Sequence, residues 1–379
     1  MLDSIRRALP DLNMALNSLR WLSDDDLLWA ALRRLLLAPA PSGGAALPGA
    51  ILDEITTLAG ELDLFDRLLS RLGSTGNAAV WLGASDAPAD LVIIAHMDRP
   101  TFRVRDAQAG DLYPMCATRF PTDPYLAPAR SLRFENRRLV VGAAGTLTAA
   151  GESLRLHVER GHLRWYDSVV MHIEPERAGQ SVTGTGLDNC LGVITLLGAA
   201  AALRGAEDGL RQLGRRCLFV FSDLEEGVPT AFFGHGAARL AHLLPPPALG
   251  CVVVDAQTAN PGGAPGLGRG ASHGTVSAWS RGAAVPPNLI ALALDLAAEV
   301  TSAHPGLVQM NTDYLSRSDD MALGRWAPVL AMIGPPMTDA HTVQERAHLP
   351  DIQASIRWLA LFIAALLTPE VARQYALAR

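Results

Sequence analysis

The stretch LVIIAHMD, residues 91–98, decides how the chain is read. Leu91 to Ala95 form a short apolar run bounded by turn-forming residues, the pattern of a strand buried on both faces. His96 and Asp98 follow directly, so such a strand would deliver an imidazole and a carboxylate at its carboxyl end. Four other runs have the same texture: Ala79–Leu82, Cys217–Phe221, Cys251–Val254 and Val329–Ile333. Apolar segments of helical length separate them, notably 189–204, 286–300 and 351–367. Buried strands alternating with helices predict an α/β fold with a mixed, largely parallel sheet and helices on both faces.

The organisation follows outward from that frame. Residues 1–98 form the first part of the α/β domain, with 1–22 as an N-terminal helical extension. Residues 3–38 carry helical spacing, and Ser23 followed by Asp24, Asp25 and Asp26 marks a capped helix start. Helical stretches are expected to about Gly60 and then to Leu72. The segment 99–180 breaks the pattern. It is rich in Arg, Pro and Gly, and offers short β-like pieces at Ser131–Phe134, Arg138–Val141, Ser153–Val158, Leu163–Tyr166 and Ser168–Ile173, with no convincing helix. It reads as a small all-β domain inserted before the second α/β part, 181–379. Ala259–Gly274 is a Gly/Pro-rich loop, long enough inside a compact domain to suggest a functional role.

Composition narrows the function classes. The chain has 379 residues, 49% apolar and 18% charged, the balance of a globular protein of two domains. All 32 basic residues are arginine; the net charge is −6 and the pI about 5.9, so there is no electrostatic footprint for nucleic acid. Cys116, Cys190, Cys217 and Cys251 make no metal-type pair. Cys217 and Cys251 lie in buried-strand runs, which suits a reducing compartment. Asp3 and Asp11 interrupt the N-terminus where a secretory leader needs apolar residues, and no uninterrupted apolar run reaches the ~18 residues of a membrane span. The expected compartment is the cytoplasm.

The acids and histidines fall at strand ends. His96 and Asp98 follow Leu91–Ala95, Glu225 and Glu226 follow Cys217–Phe221, and Asp255 closes Cys251–Val254. Asp188 sits between Thr183-Gly184-Thr185-Gly186 and a helix, and His341 follows the fifth strand and a Gly-Pro-Pro turn. Open α/β sheets bind ligands outside the carboxyl ends of their strands. Taken singly, each residue has a bland explanation as a cap, a turn former or a solvated side chain. Together, two imidazoles and three carboxylates are the inventory for two zinc-like ions that share one carboxylate.

The same segments resemble the tetrahedral aminopeptidases, also called deblocking or glutamyl aminopeptidases, among the co-catalytic dinuclear zinc peptidases. Ala95-His96-Met97-Asp98, Gly186-Leu187-Asp188-Asn189, Glu225-Glu226-Gly227, Val254-Asp255 and His341-Thr342-Val343-Gln344-Glu345 occur in that family's order, with Asp351 shortly after. Pro41-Ser42-Gly43, Leu267-Gly268-Arg269-Gly270 and Ser318-Asp319-Asp320 are smaller echoes. The resemblance spans most of residues 30–367 and implies a zinc-exopeptidase-like fold. It implies one ion on His96, Asp188 and Asp255, and a second on Asp188, Glu226 and His341. The ions would be zinc, with cobalt or manganese able to occupy similar sites. Asp98 would accept the second ring N–H of His96, and Glu225 would be the general base for the water between the ions. Short peptides are the implied substrate, and self-assembly into hollow homo-oligomers, with contacts through the insertion, is the implied state.

Three positions depart from that pattern. Arg99 stands where an acid is usual, Cys190 where arginine is frequent, and Thr342-Val343 where Ser-Pro is usual. None removes a proposed ligand, but they alter the rim of the pocket. Of the remaining histidines, His235 and His273 are the ones expected near a cleft, while Asp319 and Asp320 are candidates either to approach a substrate amine or to cap a loop. Two other readings compete: a related dinuclear carboxypeptidase or N-acyl amino acid deacylase, whose inserted domain is usually α+β, and a non-enzymatic assembly protein.

Overall fold

A computed structural model describes all residues except 86–87, 117–119, 227–233, 261–263, 276–282, 313–317 and 378–379. Every residue of Leu91–His96 is buried, and the strand lies inside an eight-stranded sheet. Arg216–Ser222 and Gly250–Val254 flank it in parallel, and Val329–Gly334 continues the parallel set. Near-continuous apolar runs suit this position because helices cover a parallel sheet and leave no solvated face. Ala78–Gly83 joins antiparallel to Arg216–Ser222, with the two-residue strand Leu68–Leu69 outside it. At the other side Ala271–Gly274 runs antiparallel to Val329–Gly334 and parallel to Val308–Asn311. All five predicted runs are thus strands, in a mixed α/β architecture whose centre is parallel.

Register decides where the chemistry lands. Ser222 pairs opposite His96, and Val253 opposite Ile94, so neighbouring strands end level. The segments just beyond them, 97–98, 223–226 and 255, therefore emerge along one edge of the sheet.

The helices Leu187–Arg204 and Leu349–Leu367 pack on each other and on this sheet. Both are apolar and long enough to cross a membrane, but 83% and 78% of them is buried within the protein, which makes them core helices. At the N-terminus the Asp25–Leu37 helix is capped by Asp24, whose carboxylate accepts the Asp26 and Leu27 N–H groups at 3.0 Å. The expected helix to Leu72 does not form. Ile51–Glu61 ends before Asp63, which adopts a positive φ; Phe65–Arg67 is a 3₁₀ turn, and Leu68–Leu69 pairs with the sheet edge. Leu64 and Leu72 are buried at helical spacing, but the positive φ at Asp63 and the pairing of Leu68–Leu69 with the sheet edge take the backbone out of a helix.

Phe102–Met171 forms a closed barrel of six strands: Phe102–Asp106, Asp111–Pro114, Tyr125–Glu135, Arg138–Ala150, Ser153–Gly161 and Ser168–Met171. Phe102, Val104, Leu112, Leu147, Leu156 and Val169 fill its own apolar centre. Asn136 and Arg137, both with positive φ, make the two-residue turn between the long strands, as the twist of a hairpin requires. Among the described residues of 99–180 there is no helix. Leu163–Tyr166, expected as a strand, is a turn with Tyr166 at positive φ. Phe102–Asp106 and Asp111–Pro114 are strands that the pattern reading missed. A further small sheet joins Glu176–Ala178, Ser181–Gly184 and Glu345–His348.

Candidate metal centre

The sheet edge brings His96, Asp188, Glu225, Glu226, Asp255 and His341 together. His96 Nε2 lies 3.2 Å from Asp188 Oδ1, 3.5 Å from Asp255 Oδ1 and 3.8 Å from Glu225 Oε2. His341 Nε2 lies 3.0 Å from Glu226 Oε1 and 3.4 Å from Asp188 Oδ2. Ligand atoms of His96, Asp188 and Asp255 fall within 4.8 Å of one another, and so do those of Asp188, Glu226 and His341. Asp188 belongs to both groups and turns one oxygen to each. His96, Glu225 and Glu226 make a third such group.

The chemistry of these donors fits a pair of cations. Asp188 Oδ1 and Glu226 Oε1 are buried without a hydrogen-bond donor, and a buried carboxylate oxygen left so is costly unless a positive charge meets it. Oxygen and imidazole donors suit zinc, cobalt or manganese.

Local structure holds each group. His96 ends its strand with the imidazole 1% exposed. Its Nδ1–H points at the backbone carbonyl of Asp98, 3.2 Å away, while the Asp98 carboxylate is farther, at 3.6 Å. The Asp98 carboxylate thus stands beside the His96 ring, with the backbone carbonyl nearer to Nδ1. Both of its oxygens are engaged elsewhere, accepting the Glu225 and Glu226 N–H groups at 3.1 Å each and the Ser42 hydroxyl at 2.6 Å. Asp98 ties the end of one strand to the segment after the next. Leu224, just before that acidic pair, has φ +61, and His341 has φ +62. Such backbone in non-glycine residues clusters at functional sites. Gly227, the third residue of its motif, lies outside the described residues.

Asn189 braces the bridging position: its Nδ2 donates to the Val254 carbonyl at 2.9 Å, and its Oδ1 accepts the Gly192 and Ala256 N–H groups. The Asp188–Asn189 peptide is cis. Glu345, read in the sequence only as the last letter of a motif, accepts the N–H groups of Gly186, Leu187 and His341 at 2.7, 2.7 and 2.8 Å. Two of the departures meet in space, since Arg99 Nη2 approaches Cys190 Sγ at 3.4 Å. The same guanidinium donates to the Leu35 and Leu36 carbonyls at the end of the Asp25–Leu37 helix. The third departure reaches the barrel: Val343 packs on the barrel core, and its N–H donates to the Tyr125 hydroxyl at 3.2 Å.

Burial and charge set the acid–base character. Burial pushes the Glu225 carboxyl well above its ordinary range; the charge opposite on His96 opposes this, and Glu226, Asp255 and Asp319 reinforce it. Burial would lower His96, but the surrounding carboxylates, Glu225 first, outweigh it and hold the imidazole well above its usual value. For Asp188 burial is again opposed, by the neighbouring imidazoles of His341 and His96, and the carboxyl ends below its usual range. Desolvation lifts Asp255 to about 6.

The secondary candidates fall outside this cluster. His273 is a core residue, accepting the Trp358 indole N–H at 3.1 Å and edge-on to Phe362; burial lowers it to about 3, so the expectation of a place by the cleft is corrected. His235 opens the short helix His235–Leu240. Asp320 accepts the Ser318 and Ala283 N–H groups, a loop-capping role. Asp319 is fully buried and bound to the Ser222 hydroxyl. All four cysteines are free and buried.

No family model and no curated protein matches the sequence. Solved structures do. An aminopeptidase from the archaeon Desulfurococcus kamchatkensis is 18% identical with a TM-score of 0.71, over 93% of this chain and 98% of its own. The TET1 peptidase of Pyrococcus horikoshii, described as assembling into a tetrahedron or a large octahedral shell, is 18% identical with a TM-score of 0.66, over 88% and 98%. A Thermotoga maritima protein described as an endoglucanase is 20% identical with a TM-score of 0.62, over 90% and 99%. Likeness at these identities is likeness of architecture: the chain has the fold of the tetrahedral aminopeptidases.

Proposed function

We propose that the protein is a dinuclear, metal-dependent aminopeptidase that removes N-terminal residues from short peptides. The observation that carries this reading is Asp188, whose two oxygens face two separate donor groups, His96 with Asp255 and His341 with Glu226. One carboxylate placed so can bridge two ions at the ~3.5–4 Å of co-catalytic sites. When bound, the ions would make water nucleophilic near neutral pH and polarise the scissile carbonyl.

The chain's own residues supply the rest. Glu225 stands farther from His96 Nε2 than Asp188 or Asp255 does, which favours it as proton carrier over ligand. Its raised basicity suits a group that takes a proton from the attacking water and returns it to the leaving amine. Asp98 fixes the backbone of Glu225 and Glu226 together, so base and ligand keep a constant offset.

The barrel supports aminopeptidase over carboxypeptidase or deacylase, since those relatives usually carry helices in the inserted domain. The imidazoles knitted into the acidic cluster argue against glucan hydrolysis, which generally needs only a carboxylate pair. The test is a screen of unblocked and N-blocked di- and tripeptides and a soluble β-glucan, with zinc, cobalt or manganese and with metal-stripped protein. Metal-dependent release from unblocked peptides alone is expected. Turnover confined to blocked peptides or to glucan would contradict the proposal.

A homo-oligomer forms part of the same reading. The barrel exposes Leu126, Phe134, Val141 and Trp165, apolar surface of a kind that self-association covers. Light scattering should give a mass several times the 40.2 kDa of one chain; a monomer at micromolar concentration would contradict it.

A further inference from the structure

We infer that Glu345 is a positioning residue that preforms one of the two cation sites, the one on Asp188, Glu226 and His341. This inference rests on the dinuclear reading above. Glu345 is 1% exposed, and all four hydrogen bonds to its carboxylate come from backbone N–H groups. Oε2 gathers Gly186, Leu187 and Asp188 at 2.7, 2.7 and 3.4 Å; Oε1 takes His341 at 2.8 Å. One carboxylate therefore spans the loop that presents the bridging aspartate and the loop that presents the terminal histidine.

Both loops need such a brace. Gly186 has φ +85, and a Cβ there would sit 2.3 Å from Arg99 Nε, so the turn into Asp188 is tight. His341 itself holds φ +62, a conformation a β-carbon disfavours, and its N–H bond to Glu345 keeps it there. Glu345 is anchored from behind, because its strand pairs Glu345 with Gly184, two residues before Gly186. The carboxylate thus fixes the offset between Asp188 Oδ2 and His341 Nε2, now 3.4 Å. The other donor pair, His96 and Asp255, hangs on the central parallel strands and meets the braced loop only through the shared Asp188. A buried acid whose partners are all convergent backbone N–H groups is costly to place unless that convergence matters.

The experiment is a calorimetric zinc titration of the metal-stripped full chain, for the wild type, Glu345→Gln, Glu345→Asp, His341→Ala and Glu345→Gln/His341→Ala. A glutamine cannot accept on both sides, because its amide group sets a donor against one of the two loops. Two ions are expected on the wild type. In Glu345→Gln one ion should bind within about threefold of wild type and the other at least tenfold more weakly, as in His341→Ala. The double variant should lose no more than His341→Ala alone, since both changes then act on one site. Equal weakening of both ions, additive losses, or an unchanged second ion would overturn the assignment. Glu345→Asp, whose shorter arm cannot reach both loops, gives the same reading if the glutamine variant does not fold. A wild type that binds no zinc pair would instead overturn the dinuclear reading itself.

Discussion

At the scale of single residues, the account turns on two neighbouring glutamates with different tasks. Glu226 Oε1 faces His341 Nε2 at 3.0 Å, whereas Glu225 stands at the edge of its group and carries a carboxyl raised by burial. Glu225→Gln preserves shape and removes the base. It should retain both ions and lower kcat by about 10²–10⁴-fold, the range for loss of a general base. Metal content by emission spectrometry beside steady-state kinetics checks this, and full activity with both ions bound would exclude Glu225 as the base. The six residues that meet at the sheet edge could be read from the sequence because each sits at a strand end or a helix start, where position along the chain fixes position in space. Asp98 and Glu345 could be named but not understood. Their partners are backbone N–H groups at 225–226 and at 186–187, and hydrogen bonds to backbone leave no mark on the partner's identity.

At the scale of elements, the level ends of the parallel strands make the site. Long apolar runs declared those strands plainly. Phe102–Asp106 and Asp111–Pro114 were hidden because each buries only two or fewer side chains between charged ones, too short an alternation to stand out. The stretch after Asp63 failed in the opposite sense: Leu64, Leu68 and Leu72 keep helical spacing, but Leu68–Leu69 is taken up by the sheet edge. Packing between adjacent strands can be tested where it touches a ligand. Gly334 ends Val329–Gly334, and a Cβ there would stand 1.7 Å from the carbonyl oxygen of Asp255 on the neighbouring strand. Gly334→Ala should shift the Asp255 backbone, cost about 1–3 kcal/mol as overpacking does, and weaken metal binding. Denaturant melts and a zinc titration measure both, and a variant with wild-type stability and affinity would show that this contact does not set Asp255.

At the scale of the whole molecule, the fold stores many buried acids. Desolvation lifts Asp223 and Asp319 to about 7 and Glu345 to about 8. Each has a folded value above its unfolded one, so the folded state holds protons that the unfolded chain has released. Stability from these groups is complete below the ordinary carboxylate range and is lost as pH rises through their folded values. His273 and His172, lowered to about 3 and about 4 by burial, act oppositely, but only below the ordinary histidine value. Between pH 6.5 and 8 the raised acids act together with His96 and His341, also held above their ordinary value, and the Tm of the metal-stripped protein should fall. Zinc needs ionised carboxylates and releases protons on binding, so its stabilisation should grow over the same interval. Scanning calorimetry with and without zinc checks the sign, and a metal-free Tm that climbs across that range would refute it.

The central claim is that side chains from five separate segments share two cations through Asp188. Anomalous diffraction from zinc-soaked crystals at the zinc edge tests it most directly. The account predicts two peaks in each chain, one touching His96, Asp188 and Asp255 and the other touching Asp188, Glu226 and His341. A single peak, or peaks away from Asp188, would contradict it.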